Sequence, residues 1–569
     1  MGTTLPWATA RRGRTPRPAS PWRRARGVAA LTTVVALALT ACSGEEPQVD
    51  TAPARIEPVS GGTLRLGTNG QEPTCLDPHG NSSTLGPLLT LPVADTLLWQ
   101  LEDGTLTGWL AESWEISDDG LVYTFHLRDD VTFTDGTQWD AQALQTNLEH
   151  MRDPATKSPL AAAYIAPYES SRVVDDHTLE VTLSTPYSAF LNVLAQGYLG
   201  MISPKQITEA PETICEGPIG SGPFILESWN KGQSVEYVRN PDYAWGPQDA
   251  HEGPAYLDRL EIVFITEDAT RYNALVSGEL DAIEFVPPQN YDDIESHPRL
   301  DTFTELRHGH PYALWFNVSR APFDDVRVRQ ALVAAVDREA VVDSISFGKW
   351  DAVQGYLTPN TPDYVEDVAQ GRLDFDPDLA NELLDEAGWT GRDDDGYRTK
   401  DGERLVAHLP MLNDVPLRVQ IAEQTQAAAR EVGIEVRIEY VAAQELSDRS
   451  AAGEYDISQG LWATNTADVL WIRYHSDNIT TPERRGQNSS RLSDPELDAI
   501  LQEARETTDD ARRSELYRQA QDLLIGLAPA VPFYSDPRPV ASWDHVHGLR
   551  HVQGYISPYL FDVWTEKAA

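Results

Sequence analysis

Few residues of this 569-residue chain are spaced for chemistry. It holds three cysteines, Cys42, Cys75 and Cys215. Cys75 and Cys215 have no CxxC partner and no histidine beside them, so a metal or nucleophile role is poorly supported. In an oxidising compartment the pair predicts a disulfide; two buried thiols are the alternative. Closing a loop of about 140 residues would remove roughly 5 kcal/mol of unfolded-chain entropy, at the upper end of the range. His308 and His310 sit two apart and would share one face of a strand, the arrangement a nickel-binding reading wants, but no third ligand stands near them. Asp393-Asp394-Asp395-Gly396 has the acidity of a calcium loop, yet Gly402 occupies the place of the closing glutamate, which favours a solvated turn. No G-x-S-x-G elbow and no H-E-x-x-H is present, and Gly220-Ser221-Gly222 has the wrong spacing. A secreted hydrolase is therefore a distant alternative, and neither a catalytic residue, a metal nor a cofactor is expected.

The start of the chain assigns the compartment. Residues 1–41 carry Arg11, Arg12, Arg14, Arg17, Arg23, Arg24 and Arg26 and no acid, then an apolar run from Gly27 to Ala41. A basic region, a short apolar core and small residues at its end read as an export signal. The run is about 15 residues, short of the roughly 20 that span a bilayer. Leu39-Thr40-Ala41-Cys42 resembles a bacterial lipobox, which implies cleavage before Cys42 and a lipid on its sulfur. Residues 42–60, rich in Pro, Glu and small side chains, read as a flexible tether.

Without residues 1–41 the chain is too long for one core, and two or three domains are expected. Removing the seven leader arginines from 45 basic residues leaves 38 against 88 acidic ones, a net charge near −50. So acidic a surface argues against nucleic acid and anionic lipid as partners.

Patterning predicts mixed α/β units. Thr63–Thr68 reads as a strand. Leu121, Tyr123, Phe125 and Leu127 alternate with less apolar neighbours, as in a half-buried strand. A helix over Ala141–Met151 with Asp140 as N-cap and a hairpin over Val173–Leu183 complete an α+β unit at 104–209. Leu260–Ile265 reads as a strand buried on both faces. Strands at Tyr312–Asn317 and Ile434–Tyr440 alternate with helices at Val326–Ala335, Arg338–Ser346, Arg418–Val432 and Ala511–Leu527. Asp376-Pro377 and Asp494-Pro495 open two more, an Asp cap followed by Pro in the first turn. This order predicts open α/β sheets.

Several strings resemble the family 5 bacterial solute-binding proteins, receptors of oligopeptide, dipeptide and nickel ABC importers. They include Leu110-Ala111-Glu112-Ser113-Trp114, Phe133-Thr134-Asp135-Gly136-Thr137, Gly220-Ser221-Gly222-Pro223-Phe224, Arg239-Asn240-Pro241-Asp242-Tyr243, Pro322-Phe323-Asp324-Asp325-Val326-Arg327 and Tyr474-His475-Ser476. They run in order over about 62–565. The resemblance implies a two-lobe clamshell with an inserted small domain: lobe I over 60–103, 210–310 and 533–569, the insert at 104–209, and lobe II over 311–532. Chain crossings near His308–Tyr312 and Val531–Ser535 would form a hinge.

It further implies a monomer, lipid-anchored to the outer face of the cell membrane, that takes a small solute into the cleft and delivers it to permease subunits. A peptide is the leading substrate, with nickel chelates, opines and oligosaccharides as alternatives. Strand ends and crossings that meet the cleft offer Asn69, Gln71, Glu72, His308, His310 and Tyr312 as ligand contacts. In lobe II, Trp462 and Asn465 would follow a strand at Tyr455–Ser458. Peptide-binding relatives hold an acid near the place of Asn465 to meet the ligand's amine. An Asn offers no charge there, and Asp468, three residues on, is the substitute.

Overall fold

The computed structural model describes residues 57–69, 72–158, 160–481, 486–553 and 557–566. Cys42, the export signal, the tether up to residue 56 and Gln71 lie outside the described residues.

Thr63–Thr68 is the central strand of a seven-stranded mixed sheet. It pairs in parallel with Arg259–Phe264 on one side and Ala282–Glu284 on the other. Pro537–Trp543 returns from the far end of the chain, antiparallel between Ala282–Glu284 and Leu300–Leu306. The hairpin Phe224–Asn230 with Ser234–Arg239 forms the opposite edge. Leu260 and Ile262 are buried, but Glu261 between them is half-exposed and pairs with Arg65. The expected strand with two buried faces is therefore a one-sided one: charged residues of neighbouring strands share its outer face.

Residues 111–183 build a four-stranded antiparallel sheet in the order Ala111–Ile116, Val122–Leu127, Thr178–Leu183, Tyr168–Asp175. Tyr123, Phe125 and Leu127 turn inward, as the alternation predicts. The helix Ala141–Arg152 starts on Asp140, whose carboxylate accepts from the Ala143 N–H at 2.7 Å. One continuous buried cluster joins Leu64 and Leu66 of the large sheet to Leu144 and Val181 of this small one. Gly220 shows why the glycine string matters: a Cβ there would lie 1.8 Å from the Val93 carbonyl oxygen.

A second core gathers residues from Tyr312 to Tyr534. Its centre is Gly309–Phe316, antiparallel between Ile457–Ala463 and Ala530–Tyr534. Val406–Met411 and Glu435–Tyr440 pair in parallel beside it. The helices carry the stops and starts that their sequences encode. Asp376 accepts from the Leu379 N–H ahead of Pro377–Glu386, Asp494 does the same for Leu497 ahead of Pro495–Glu506, and Gly433 ends Pro416–Val432 at φ 93°. The acidic run Asp393–Asp395 sits in a turn where Arg404 pairs with both Asp393 and Asp395. Among the described residues no helix is long and apolar enough to cross a membrane.

Cys75 and Cys215 are disulfide-bonded. The bridge fastens the loop after Thr63–Thr68, where the Leu76 N–H donates to the Cys215 carbonyl at 2.9 Å. His79, in the same loop, is fully buried, and burial pulls its pKa down to about 4.

Candidate functional site

The chain passes between the two cores at Arg307–Gly309 and again at Tyr534–Arg538, and the passages hold each other. The Arg307 N–H donates to the Asp536 carbonyl at 3.0 Å, and the Ser535 hydroxyl donates to the Arg307 carbonyl at 3.0 Å. The Asp536 carboxylate meets Arg307 at 3.5 Å and Arg538 at 3.1 Å. Burial pushes the Asp536 carboxyl up, opposed by Arg307 and Arg418. Both Nε atoms, of Arg307 and Arg538, are buried and unpartnered among the described residues. Three guanidinium groups thus act around the Asp536 carboxylate, with the buried Glu284 carboxyl also in the field of Arg307, which leaves cationic donors to spare.

Aromatic rings line the same passage. Tyr312 stacks on Tyr534 with centroids 5.4 Å apart, and Tyr534 stacks on Trp350 at 5.1 Å. The Tyr312 hydroxyl donates to Gln459 on the neighbouring strand. Burial raises the Tyr312 phenol, so it stays a neutral donor.

The segment 462–468 closes the cores on each other. Tyr164 donates to the Ala463 carbonyl at 3.4 Å. Gln196 Nε2 donates to Thr464 Oγ1 at 3.3 Å and to Asn465 Oδ1 at 3.0 Å. Asn465 Nδ2 in turn donates to Gln100 Oε1 and to the Asn192 carbonyl, each at 3.0 Å. Asn465 is 1% exposed, and both donors of its amide and its oxygen are engaged by protein. Asp468, equally buried, accepts from the Tyr187 hydroxyl at 3.1 Å and lies 3.8 Å from Arg505 Nε. Arg505 is itself sandwiched, 3.6 Å over Trp471 and 4.5 Å over Tyr187.

Several expected contacts are placed elsewhere. Glu72 turns to the outer edge of the large sheet, where it accepts from Trp229 Nε1 and from the Gly232 N–H of the hairpin turn. His308 and His310 do not act together. Gly309 between them takes φ 106° and breaks the extended run that would align their side chains. His310 is buried in the second core, Nε2 on the Tyr474 hydroxyl at 2.6 Å, and burial together with Arg473 pulls it down to about 3. His308 is lowered to about 4 by burial, and its Nδ1 is buried without a partner among the described residues. Trp462 lies within the strand Ile457–Ala463, opposite His310, rather than in a loop after a shorter strand. Its Nε1 is buried and unpartnered among the described residues. Asn69 follows the first strand, half-buried. Tyr312, Trp462, Asn465 and Asp468 are the predicted residues that the structure gathers between the two cores. Arg307, Asp536, Arg538, Gln100, Gln196 and Tyr187 join them without having been singled out. Arg307 had one visible signal, a charge beside the predicted crossing.

The profile of the bacterial extracellular solute-binding proteins, family 5 middle, matches residues 105–480. Heme-binding protein A of Haemophilus influenzae is 30% identical over 451 residues, 74% of this chain and 78% of that protein. Glutathione-binding protein GsiB of Escherichia coli K12 is 28% identical over 473 residues, 81% of this chain and 86% of that protein. Among solved structures, the ABC transporter-associated periplasmic binding protein DppA from Helicobacter pylori in complex with the peptide STSA superposes with TM-score 0.74 at 25% identity, covering 90% of this chain and 99% of that one. The oligopeptide-binding protein AppA from Bacillus subtilis with a nonapeptide gives TM-score 0.77 at 24% identity, covering 90% and 100%. The two-lobe architecture built above is theirs, and the chain belongs to the family 5 bacterial extracellular solute-binding proteins.

Proposed function

We propose that this protein is the substrate-binding component of an ABC importer, closing two lobes over a peptide-like solute and presenting it to permease subunits. In this reading lobe I, near 60–103, 210–310 and 533–569, carries the insert 104–209 and hinges on the two passages at 307–309 and 534–538 against lobe II, near 311–532. The protein acts as a monomer held at the outer face of the membrane by a lipid on Cys42. It performs no reaction on its ligand.

The observation that carries the ligand class is the charge at the crossing. Arg307, Arg538 and Arg418 outnumber Asp536 there. Asn465 and Asp468 are already committed to Gln196, Gln100 and Tyr187. The arrangement favours recognition of a carboxylate over recognition of an ammonium group. A peptide would then be held chiefly by its C-terminus.

Intrinsic tryptophan fluorescence tests this, since Trp350 and Trp462 stand beside the crossing. Free tri- to pentapeptides should shift the emission and saturate. N-acetylation should change the affinity little, and C-terminal amidation should weaken it at least about tenfold, the value of one lost charge-assisted bond. A protein blind to all soluble peptides overturns the peptide reading, and indifference to amidation overturns the carboxylate anchor.

A further inference from the structure

Away from the crossing, the disulfide-bound loop and the insert meet in a polar cluster that ligand capture does not use. Asp77 and His79 come from the loop after Thr63–Thr68, and His150 from the last turn of Ala141–Arg152. One donor atom from each lies within 4.8 Å of the others, and among the described residues no other such group of three exists. Asp77 and His79 are 5% and 0% exposed. The His150 side chain retains 10%.

The hydrogen bonds around the cluster leave one atom over. His79 Nε2 stands 2.9 Å from the Gly200 carbonyl, which can only accept, so Nε2 carries the proton. Nδ1 is then a lone pair, and it is buried without a partner among the described residues. A backbone carbonyl that fixes one ring nitrogen as the donor and frees the other is the usual outer support of a metal-bound histidine. The Asp77 carboxylate accepts from the His79 N–H at 2.9 Å, and its other oxygen faces His150 Nε2 at 3.0 Å. On the far side of that ring, Thr156 Oγ1 lies 3.1 Å from His150 Nδ1 and 2.7 Å from the His150 carbonyl. The shorter contact takes the hydroxyl proton to the carbonyl. In the tautomer that then donates from Nδ1 to Thr156, the neutral His150 ring presents a second lone pair at Nε2 to the Asp77 carboxylate. A cation between them removes that conflict, and His79 brings a donor atom within 4.8 Å of both.

We propose that Asp77, His79 and His150 form a zinc-class divalent-cation site that ties the lobe I loop to the inserted domain. Two imidazoles and one carboxylate suit zinc better than calcium or magnesium, which take oxygen ligands. Tetrahedral zinc asks for donors about 3.4 Å apart. The His150–Asp77 edge, at 3.0 Å, already has that scale. A fourth position falls to water. A surface recess of about 240 Å³ lies beside Gly80, the residue after His79.

The test is zinc titration of the chelator-stripped protein against a chromophoric zinc indicator, with thermal melting in parallel. One equivalent should bind and raise the melting temperature. His79→Gln should weaken binding at least about tenfold, as loss of a ligand does. His150→Arg keeps a donor on Asp77, so it should fold and melt like the metal-free wild type while losing the zinc-dependent rise. Failure of the wild type to bind one equivalent overturns the site. So does binding, or a zinc-dependent rise, that is unchanged in a folded His150→Arg protein.

Discussion

Asn465 Nδ2 donates to Gln100 Oε1 at 3.0 Å across 365 residues of sequence, and each residue is nearly inaccessible. This amide is a latch between the lobes. Its three hydrogen bonds, with Gln100, Asn192 and Gln196, hold only while the two cores are closed on each other. Asn465→Ala should therefore weaken ligand binding by about tenfold to a hundredfold, at roughly 1 kcal/mol per lost bond, with little change in the stability of either lobe. Asn465→Asp should be no better, because a carboxylate would face two acceptors, Gln100 Oε1 and the Asn192 carbonyl. Calorimetric titration with the best peptide ligand, alongside small-angle scattering of the ligand-free form, measures both effects.

Asp468 and Arg505 form the buried ionic partner of that latch. Their side chains are 1% and 9% exposed. Removing one member strands the other in a site with little water. Asp468→Ala should cost about 3 kcal/mol or more in urea denaturation. Arg505→Lys should recover only part of the stacking on Trp471 and Tyr187, since an ammonium group lacks the planar fork.

Acid should destabilise the fold through buried imidazoles. His310 is depressed from 6.5 to about 3 by burial and Arg473, and His308 and His551 are each depressed to about 4 by burial. Below pH 6.5 the unfolded chain binds protons that these native rings refuse. Their contribution is thus full above 6.5 and lost as pH falls towards 4. Asp95 and Glu284, raised to about 7 by burial, act the other way. The native state holds their protons between about 4 and 7, so their contribution fades as pH rises through that window. Melting temperatures from pH 7.5 to 4.5 should fall, and His310→Phe should make the fall shallower. An unchanged slope in that variant would remove His310 from the account.

The disulfide spans 140 residues of sequence. Cys75→Ser or reduction should lower stability by up to about 5 kcal/mol on the chain-entropy model. Intact mass before and after reduction should differ by two hydrogens, and denaturation of the two forms measures the loss. Two free thiols in the exported protein would exclude the bridge.

The anchor makes a cellular prediction. Cys42→Ala should move the protein from the membrane fraction to the medium, assayed by fractionation. Retention at the membrane would show that something other than a lipid on Cys42 holds it.

Legibility in the sequence followed the range of the interaction. Caps and stops act within four residues, so Asp376-Pro377, Asp494-Pro495 and Gly433 marked helix ends that the structure places within a residue or two. Alternation made Val122–Leu127 readable, since its buried face is written in Tyr123, Phe125 and Leu127. The latch was hidden because Gln100, Asn192 and Gln196 are surface-type residues whose burial depends on a partner hundreds of positions away. The paired reading of His308 and His310 failed at Gly309: period-two reasoning assumes an unbroken strand, and a left-handed glycine breaks it. His79 and His150 lie 71 positions apart in sequence and had no spacing to betray them.

The shared core of the large sheet and the inserted domain has a consequence for how the protein can be cut and moved. Leu64, Leu66, Leu144 and Val181 sit in one unbroken apolar mass, so there is no seam along which residues 104–209 could shear or be excised. Opening and closing should therefore be a motion of two pieces, with the insert riding as cargo on the first. Swapping that insert between relatives would expose a raw hydrophobic face unless the surrounding leucines travelled with it.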